Sequence, residues 1–369
     1  MGTLSGWPES RVAWGEVTGA VGDTVTVLPI VVAVAALTDL SLGGLLLGFA
    51  VFQVVWGLWY GHPMSVEPMK ALAALVIAGG LSTGEYVVAG LLAGGVLLVV
   101  GKTGTLARLA PYVGEPVVRG IQLGVALILL RTGLTTSLGA PPLAGLAVVV
   151  AVVAILAGYR EVAALAVLGV GTALAVASAG AITPRLPTLA LLVPSDLSLT
   201  RDAVGATAGQ LAMTVGNAAV ATSLLVEEYF DAEASPDDLS TSMGVMNLAA
   251  IPLGAMPMCH GSGGVAGKYA FGARTATSNV VLGGLYLLLA VVAVDVVAAF
   301  PMAVLGVVLV LVAIELGRSG VDTSDPLLTG VVGVVALLAN VGVAFGVGLL
   351  GYHVLARVRD DGDGDGDPA

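Results

Sequence analysis

GHPMSVEPMKALAALVIAGG, residues 61–80, and AMPMCHGSGGVAGKYAFGA, residues 255–273, decide the fold. Each carries a Pro-Met pair, Pro63-Met64 or Pro257-Met258, then a polar, Pro- or Gly-rich break, then a short apolar run. The runs, near 68–81 and 264–275, are too short to cross a bilayer alone, which takes about 20 helical residues. The parallel extends upstream. Gly22-Asp23 opens one apolar run and Gly209-Gln210 another, while Gln53 and Asn247 each stand ten residues before their Pro-Met pair. Seven spans separate the copies, and an odd number turns the second upside down. Short, interrupted segments at matched places in two halves are the trace of an inverted-repeat membrane carrier and point to its binding site.

The rest of the chain agrees. Of 369 residues 57% are hydrophobic and 11% charged, and the mean hydropathy is +1.01. A soluble domain carries about 25% charged residues, so this chain cannot cover a water-facing surface. Breaks at Gly, Pro and charge predict segments near 17–38, 42–60, 68–81, 85–101, 116–133, 143–158, 161–180, 203–226, 241–257, 264–275, 277–298, 300–317, 326–341 and 342–356. The reading is an all-α polytopic membrane protein of about fourteen segments, a seven-plus-seven inverted repeat in which segments 3 and 10 are half-helices. The stretch before the first run, Trp7–Glu16, has one Arg and two Glu. It lacks a basic n-region, so the run reads as a mature helix and not a signal peptide.

Lysine and arginine set the orientation. With the N-terminus inside, nine fall on the cytoplasmic side (Arg11, Lys102, Arg108, Arg119, Arg160, Arg274, Arg318, Arg357, Arg359) and three outside (Arg131, Arg185, Arg201). Both termini are therefore expected in the cytoplasm. The net charge of −11 gathers in the loop Glu227–Asp238 and the tail Asp360–Asp367, and the tail is too polar and Gly-rich to fold. One Cys and three His exclude a disulfide framework and are too few for a metal cage. Nothing calls for a cofactor, and the lack of a basic patch excludes nucleic acid as a partner.

A helix that begins in mid-membrane exposes unpaired N–H groups and about half a positive charge. Two such ends facing each other form an anion trap without a buried Arg. The first break offers Ser65, Glu67 and, next to Lys70, Met69; Pro68 suits a first helical turn. The second offers Gly261, Ser262, Gly263 and Gly264, where bare glycines let a ligand approach the backbone. Lys70 reads as a ligand contact or as an i,i+3 partner of Glu67. Glu67 would repel an anion if ionised and donate to it if protonated, so it is either a proton carrier or a fixed partner of Lys70. His260 reads as a polar gate or ligand contact. Asn217 lies mid-membrane and lines the site or joins helices. Lys268 and Arg274, further along the second short run, read as snorkelling or as a fixed contact between domains. Cys259 beside His260 raises an intramembrane nucleophile, but no carboxylate orienter is evident and neighbouring side chains in an extended segment point apart. The chain does not read as an enzyme.

GAVGDTVTVLPIVVAVAAL, GHPMSVEPMKALAA and GVMNLAAIPLGAMPMCHGSGGVAGKYAFGAR closely resemble the molybdate transporter family, a branch of the sulfate permease superfamily. The resemblance runs from about Gly15 to Arg357. It implies a core domain of residues 1–110 and 203–298, a gate domain of 111–202 and 299–357, and a disordered tail, 358–369. It implies elevator-like movement of core against gate in the inner cell membrane, with molybdate or sulfate as substrate and a homodimer possible, as in related folds. Where the family's first motif usually has Gln, this chain has Glu67. The chain ends in an acidic tail and not in the soluble regulatory domain of many sulfate permeases, which favours the molybdate branch. Entry of a dianion against 100 mV, inside negative, costs about 4.6 kcal/mol, so proton or sodium coupling is expected. The alternatives are a sulfate or other inorganic-anion carrier of the same fold and a channel-like anion conductor; a nucleobase carrier shares the architecture, but the quoted motifs do not favour it.

Overall fold

In lipid every backbone polar group needs an internal partner, so apolar runs of membrane length become helices. The computed structural model describes residues 14–180, 182–187 and 197–363. The first half comprises α1 (Trp14–Leu37), α2 (Leu42–Tyr60), strand β1 (Glu67–Pro68), α3 (Lys70–Ile77), α4 (Thr83–Thr103), α5 (Leu106–Val113), α6 (Glu115–Ser137), α7 (Pro141–Leu156) and α8 (Ala163–Ala179). The second comprises α9 (Arg201–Met213), which continues through a π-helical stretch, Thr214–Val220, into α10 (Ala221–Phe230), then α11 (Pro236–Ala250), β2 (Met258–Cys259), α12 (Ser262–Ala270), α13 (Thr277–Val292), α14 (Val294–Ala298), α15 (Met302–Val321), α16 (Pro326–Leu338) and α17 (Val341–Asp363).

Each of the fourteen expected segments coincides with helix. Among the described residues eight helices are long and apolar enough to cross a membrane, and three more, α7, α13 and α16, are apolar but shorter. The amphipathic α5 was not anticipated. The helix α17 runs to Asp363, past the expected start of the tail at 358, and residues 364–369 lie outside the described residues, as do Arg11 and the other residues before Trp14.

Two groups of helices pack separately. In one, α2 lies on α13, α4 on α11, α1 on α12 and α3 on α9. In the other, α6 packs on α15 and α16, and α8 on α7 and α15. They meet where α9 crosses α17, where α6 touches α3 and α9, and where α1 touches α8 and α15. Small residues allow the close crossings that packing in lipid requires: a methyl at Gly342 would strike Gly205, and one at Gly209 would strike Val341.

The breaks differ from expectation in one respect. Glu67 and Pro68 do not open a helix. They pair antiparallel with Cys259 and Met258, Glu67 opposite Cys259 and Pro68 opposite Met258, and the Met69 N–H donates to the Pro257 carbonyl at 2.9 Å. Away from water, backbone groups of an irregular segment must find partners, and here each break supplies them to the other. The helix α3 therefore begins at Lys70, with Met69 as its N-cap.

Candidate anion-binding site

The strand pair brings the starts of α3 and α12 together. Gly264 is the third residue of α12, and its N–H donates to Glu67 Oε1 at 2.7 Å. The other carboxylate oxygen, Oε2, lies 2.7 Å from Lys70 Nζ. Glu67 is 1% exposed and Lys70 27%, so the lysine side chain is partly accessible while its carboxylate partner is not. The helix N-terminus and the ammonium hold the carboxylate from two sides.

The two helix starts are not equivalent. The N–H groups of Ala71 and Leu72 donate to Gln210 Oε1, at 2.9 and 3.3 Å, so a side chain of α9 already caps α3. At α12 only Gly264 is taken by a side chain. Ser262 and Gly263, the first two residues of the helix, have no intrahelical acceptor for their N–H groups. Ser262 is half-buried and Gly263 exposed. Lys70, Ser262 and Gly263 are thus the partly accessible residues at this break, and between them they carry an ammonium, a hydroxyl and two N–H groups, a donor set for an oxyanion. Met69 is fully buried and contributes packing beneath Lys70.

Glycine is required here for space. A methyl at Gly264 would collide with Ser65 Oγ, Asp23 Oδ1 and Glu67 Oε1, and one at Gly261 with the Glu67 carboxyl. At Gly263 the nearest atom to such a methyl is Glu67 Oε1, at 3.9 Å.

Ser65 donates to Asp23 Oδ1 at 2.7 Å and is buried, so its hydroxyl braces the break and does not face the exposed donors. His260 is buried too. Its Nδ1 lies 2.9 Å from the Ser65 carbonyl and its Nε2 2.7 Å from Ser242 Oγ. A carbonyl only accepts, so Nδ1 carries the proton and, in the neutral ring, Nε2 accepts from Ser242. Tyr60 OH donates to Ser242 in turn, at 2.9 Å. His260 clamps the second break to the first. Cys259 Sγ points at the Pro68 carbonyl, 3.9 Å away, and is not joined to His260. Asn217 sits half-buried in the π-helical stretch of the α9–α10 helix, outside the hydrogen bonds just described.

Sequence reasoning missed the role of Lys268. Lys268 does not snorkel. It is fully buried, and its Nζ lies 2.8 Å from the Met64 carbonyl, 3.0 Å from Gln53 Oε1, 3.1 Å from Asn279 Oδ1 and 3.2 Å from Asp23 Oδ2. Asp23 and Gln53 were visible only as landmarks of the repeat. Nothing in the sequence singled out Asn279. The site thus holds two ion pairs, Glu67–Lys70 and Asp23–Lys268, and no surplus formal charge.

This architecture is that of known anion-transporter structures. The transmembrane domain of a cyanobacterial bicarbonate transporter, BicA, superposes with a TM-score of 0.64, covering 91% of this chain and 97% of that one at 19% identity. Murine Slc26a9, described as an anion transporter in the inward-facing state, gives 0.66, covering 95% and 70% at 14% identity. At such identities the likeness concerns the fold. The sequence goes further. The profile of the family described as "Molybdate transporter of MFS superfamily" matches residues 15–129 and 202–316. Molybdate transporter 1 of Arabidopsis thaliana is 30% identical over 408 residues, covering 94% of this chain and 89% of that protein. The chain belongs to the molybdate transporter family.

Proposed function

We propose that this protein is a secondary transporter that imports a tetrahedral oxyanion, molybdate first, across the inner cell membrane. The observation that carries the reading is the donor set at the start of α12: the Lys70 ammonium, the Ser262 hydroxyl and the N–H groups of Ser262 and Gly263, around a backbone break inside a membrane helix bundle. Membership of the family supports molybdate over other oxyanions.

The two family matches, 115 residues each by their printed bounds of 15–129 and 202–316, support the inverted repeat. So does the exchange of partners between halves, with α2 on α13 and α4 on α11. On this reading residues 1–110 and 203–298 form a core that carries the site, 111–202 and 299–357 form a gate, and the core slides against the gate. Both termini lie in the cytoplasm, in keeping with the excess of Lys and Arg there.

Charge balance argues for cation coupling. Two internal pairs leave the site neutral, so a bound dianion brings two uncompensated charges into a medium where they are costly. A proton on Glu67 would remove one charge and release Lys70 to the substrate. Glu67 is the carrier we assign to that proton.

The test is uptake of labelled molybdate into proteoliposomes under an imposed proton gradient, with and without a large excess of sulfate. Uptake that survives sulfate is the expected result. Uptake abolished by sulfate makes the protein a general oxyanion carrier, and currents far above carrier turnover would make it a channel. Absence of uptake under every imposed ion gradient would overturn the substrate class.

A further inference from the structure

The surroundings of Lys268 are those of a bound cation more than of a simple ion pair. A salt bridge needs one carboxylate. Here Asp23 is joined by three neutral oxygens, from the Met64 carbonyl and the Gln53 and Asn279 side chains, all converging on one point at 2.8–3.2 Å. They come from α1, α2, the first break and α13, four segments that nothing obliges to aim oxygens at one spot. Oxygens brought together this way repel one another unless a positive charge lies between them, and an all-oxygen shell is what hard cations take.

The shell is also braced apart from the lysine. Asn279 Nδ2 donates to the Gln53 carbonyl at 2.8 Å, to Gln53 Oε1 at 2.9 Å and to the Met64 carbonyl. Gln53 Nε2 donates to Asp23 Oδ2 and to the Val66 carbonyl, each at 3.1 Å. Ser65 fixes the other Asp23 oxygen. The distances from Nζ fall in the ordinary range of N–H···O bonds, so a free ammonium ion would fit the cage as it stands.

We propose that Asp23, Gln53, Met64 and Asn279 form a monovalent-cation cage that this chain fills permanently with its own tethered ammonium, Lys268. The cage holds residues 64–66 of the first break, immediately before Glu67. With Lys268 in place, that hold needs no sodium or potassium ion. This deepens the transport reading above: of the two coupling ions considered there, it leaves the proton.

Two measurements test it. The first does not depend on transport. Wild-type protein and the Lys268→Ala and Lys268→Met variants, purified in detergent, are followed by thermal unfolding in ammonium, sodium or choline chloride at equal ionic strength. The wild type should be indifferent to the cation. The variants should unfold at lower temperature in choline and regain stability saturably with ammonium, which fits the emptied cage, while choline is too large. A variant that gains nothing from ammonium beyond what choline gives overturns the cage. If neither variant folds, the second measurement decides: labelled-molybdate uptake by wild-type proteoliposomes with all sodium and potassium replaced by N-methylglucamine, under a proton gradient. Undiminished uptake is expected, and loss that sodium alone restores overturns the proposal. Absence of uptake in sodium as well would instead strike the transport reading, and the wild type's own unfolding would then decide: a stabilisation specific to sodium over choline overturns the proposal.

Discussion

The start of α12 turns on single carbon atoms. At Gly264 a methyl would fall on Ser65, Asp23 and Glu67 together, and two of those are carboxylates held by other bonds. Overpacking of this kind costs about 1–3 kcal/mol, and it also breaks the Gly264–Glu67 hydrogen bond. Gly264→Ala should lower the unfolding temperature and abolish uptake. Gly263→Ala meets nothing closer than 3.9 Å and intrudes only on the space offered to a ligand. It should fold as the wild type does, with KM raised several-fold and kcat little changed. Equal damage from both would mean that the open side of Gly263 is not the ligand side. Glu67→Gln keeps the shape and the acceptor for Gly264 but loses the charge that binds Lys70. If Glu67 carries the coupled proton, this variant should lose the pH dependence of uptake while still exchanging substrate across the membrane. A pH profile identical to the wild type's would remove Glu67 from that role.

At the scale of elements, the breaks are stabilised by side chains from the helices before them. Asn247 accepts from the Met258 N–H and donates to the Met258 and Met243 carbonyls, all at 2.7 Å and fully buried. Asn247→Ala would orphan both polar groups of Met258, each costing about 1–3 kcal/mol, so a loss of about 2–4 kcal/mol in denaturant unfolding is expected; a loss below 1 kcal/mol would show that the break finds other partners. Gln53 makes the corresponding bond to the Val66 carbonyl, and this explains why Gln53 and Asn247 were legible at all: each stands at a fixed distance from the break it serves. Helix positions were legible because apolar length survives any tertiary arrangement. The strand pair was not, since a two-residue β-bridge carries no periodicity and Pro68 suits a helix start equally well. Lys268 was misread for a related reason. A lysine near the end of a short helix looks like a snorkelling residue until Asp23 and Asn279, 245 residues upstream and 11 downstream by their numbers, are seen to meet it. The first helix of each copy also carries a helix-perturbing feature at a matched place. Pro29 lies inside α1 six residues after Asp23, and Gly216 lies in the π-helical stretch six residues after Gln210. Proline removes a ladder hydrogen bond and π-turns gather at functional sites.

For the molecule as a whole, the question is whether the two helix groups move past one another. Their contact includes Gly216, on the π-helical stretch, against Val118 of α6, where a Cβ at 216 would stand 3.7 Å from that of Val118. A disulfide spans Cβ atoms about 3.5–4.5 Å apart, so the pair Gly216→Cys and Val118→Cys should oxidise readily in the conformation described. The single native cysteine, Cys259, is buried and will not compete. If transport requires the group of α1–α4 and α9–α13 to slide against that of α6–α8 and α15–α17, oxidation should arrest molybdate uptake almost completely, and a reductant should restore it. Each single-cysteine variant should transport with or without oxidant. Binding of molybdate to the locked protein, read by thermal shift, should persist whenever the locked state leaves the site open. Full uptake by a protein shown to be quantitatively cross-linked would rule out sliding at this contact, and the site would then have to open by movement within one group alone.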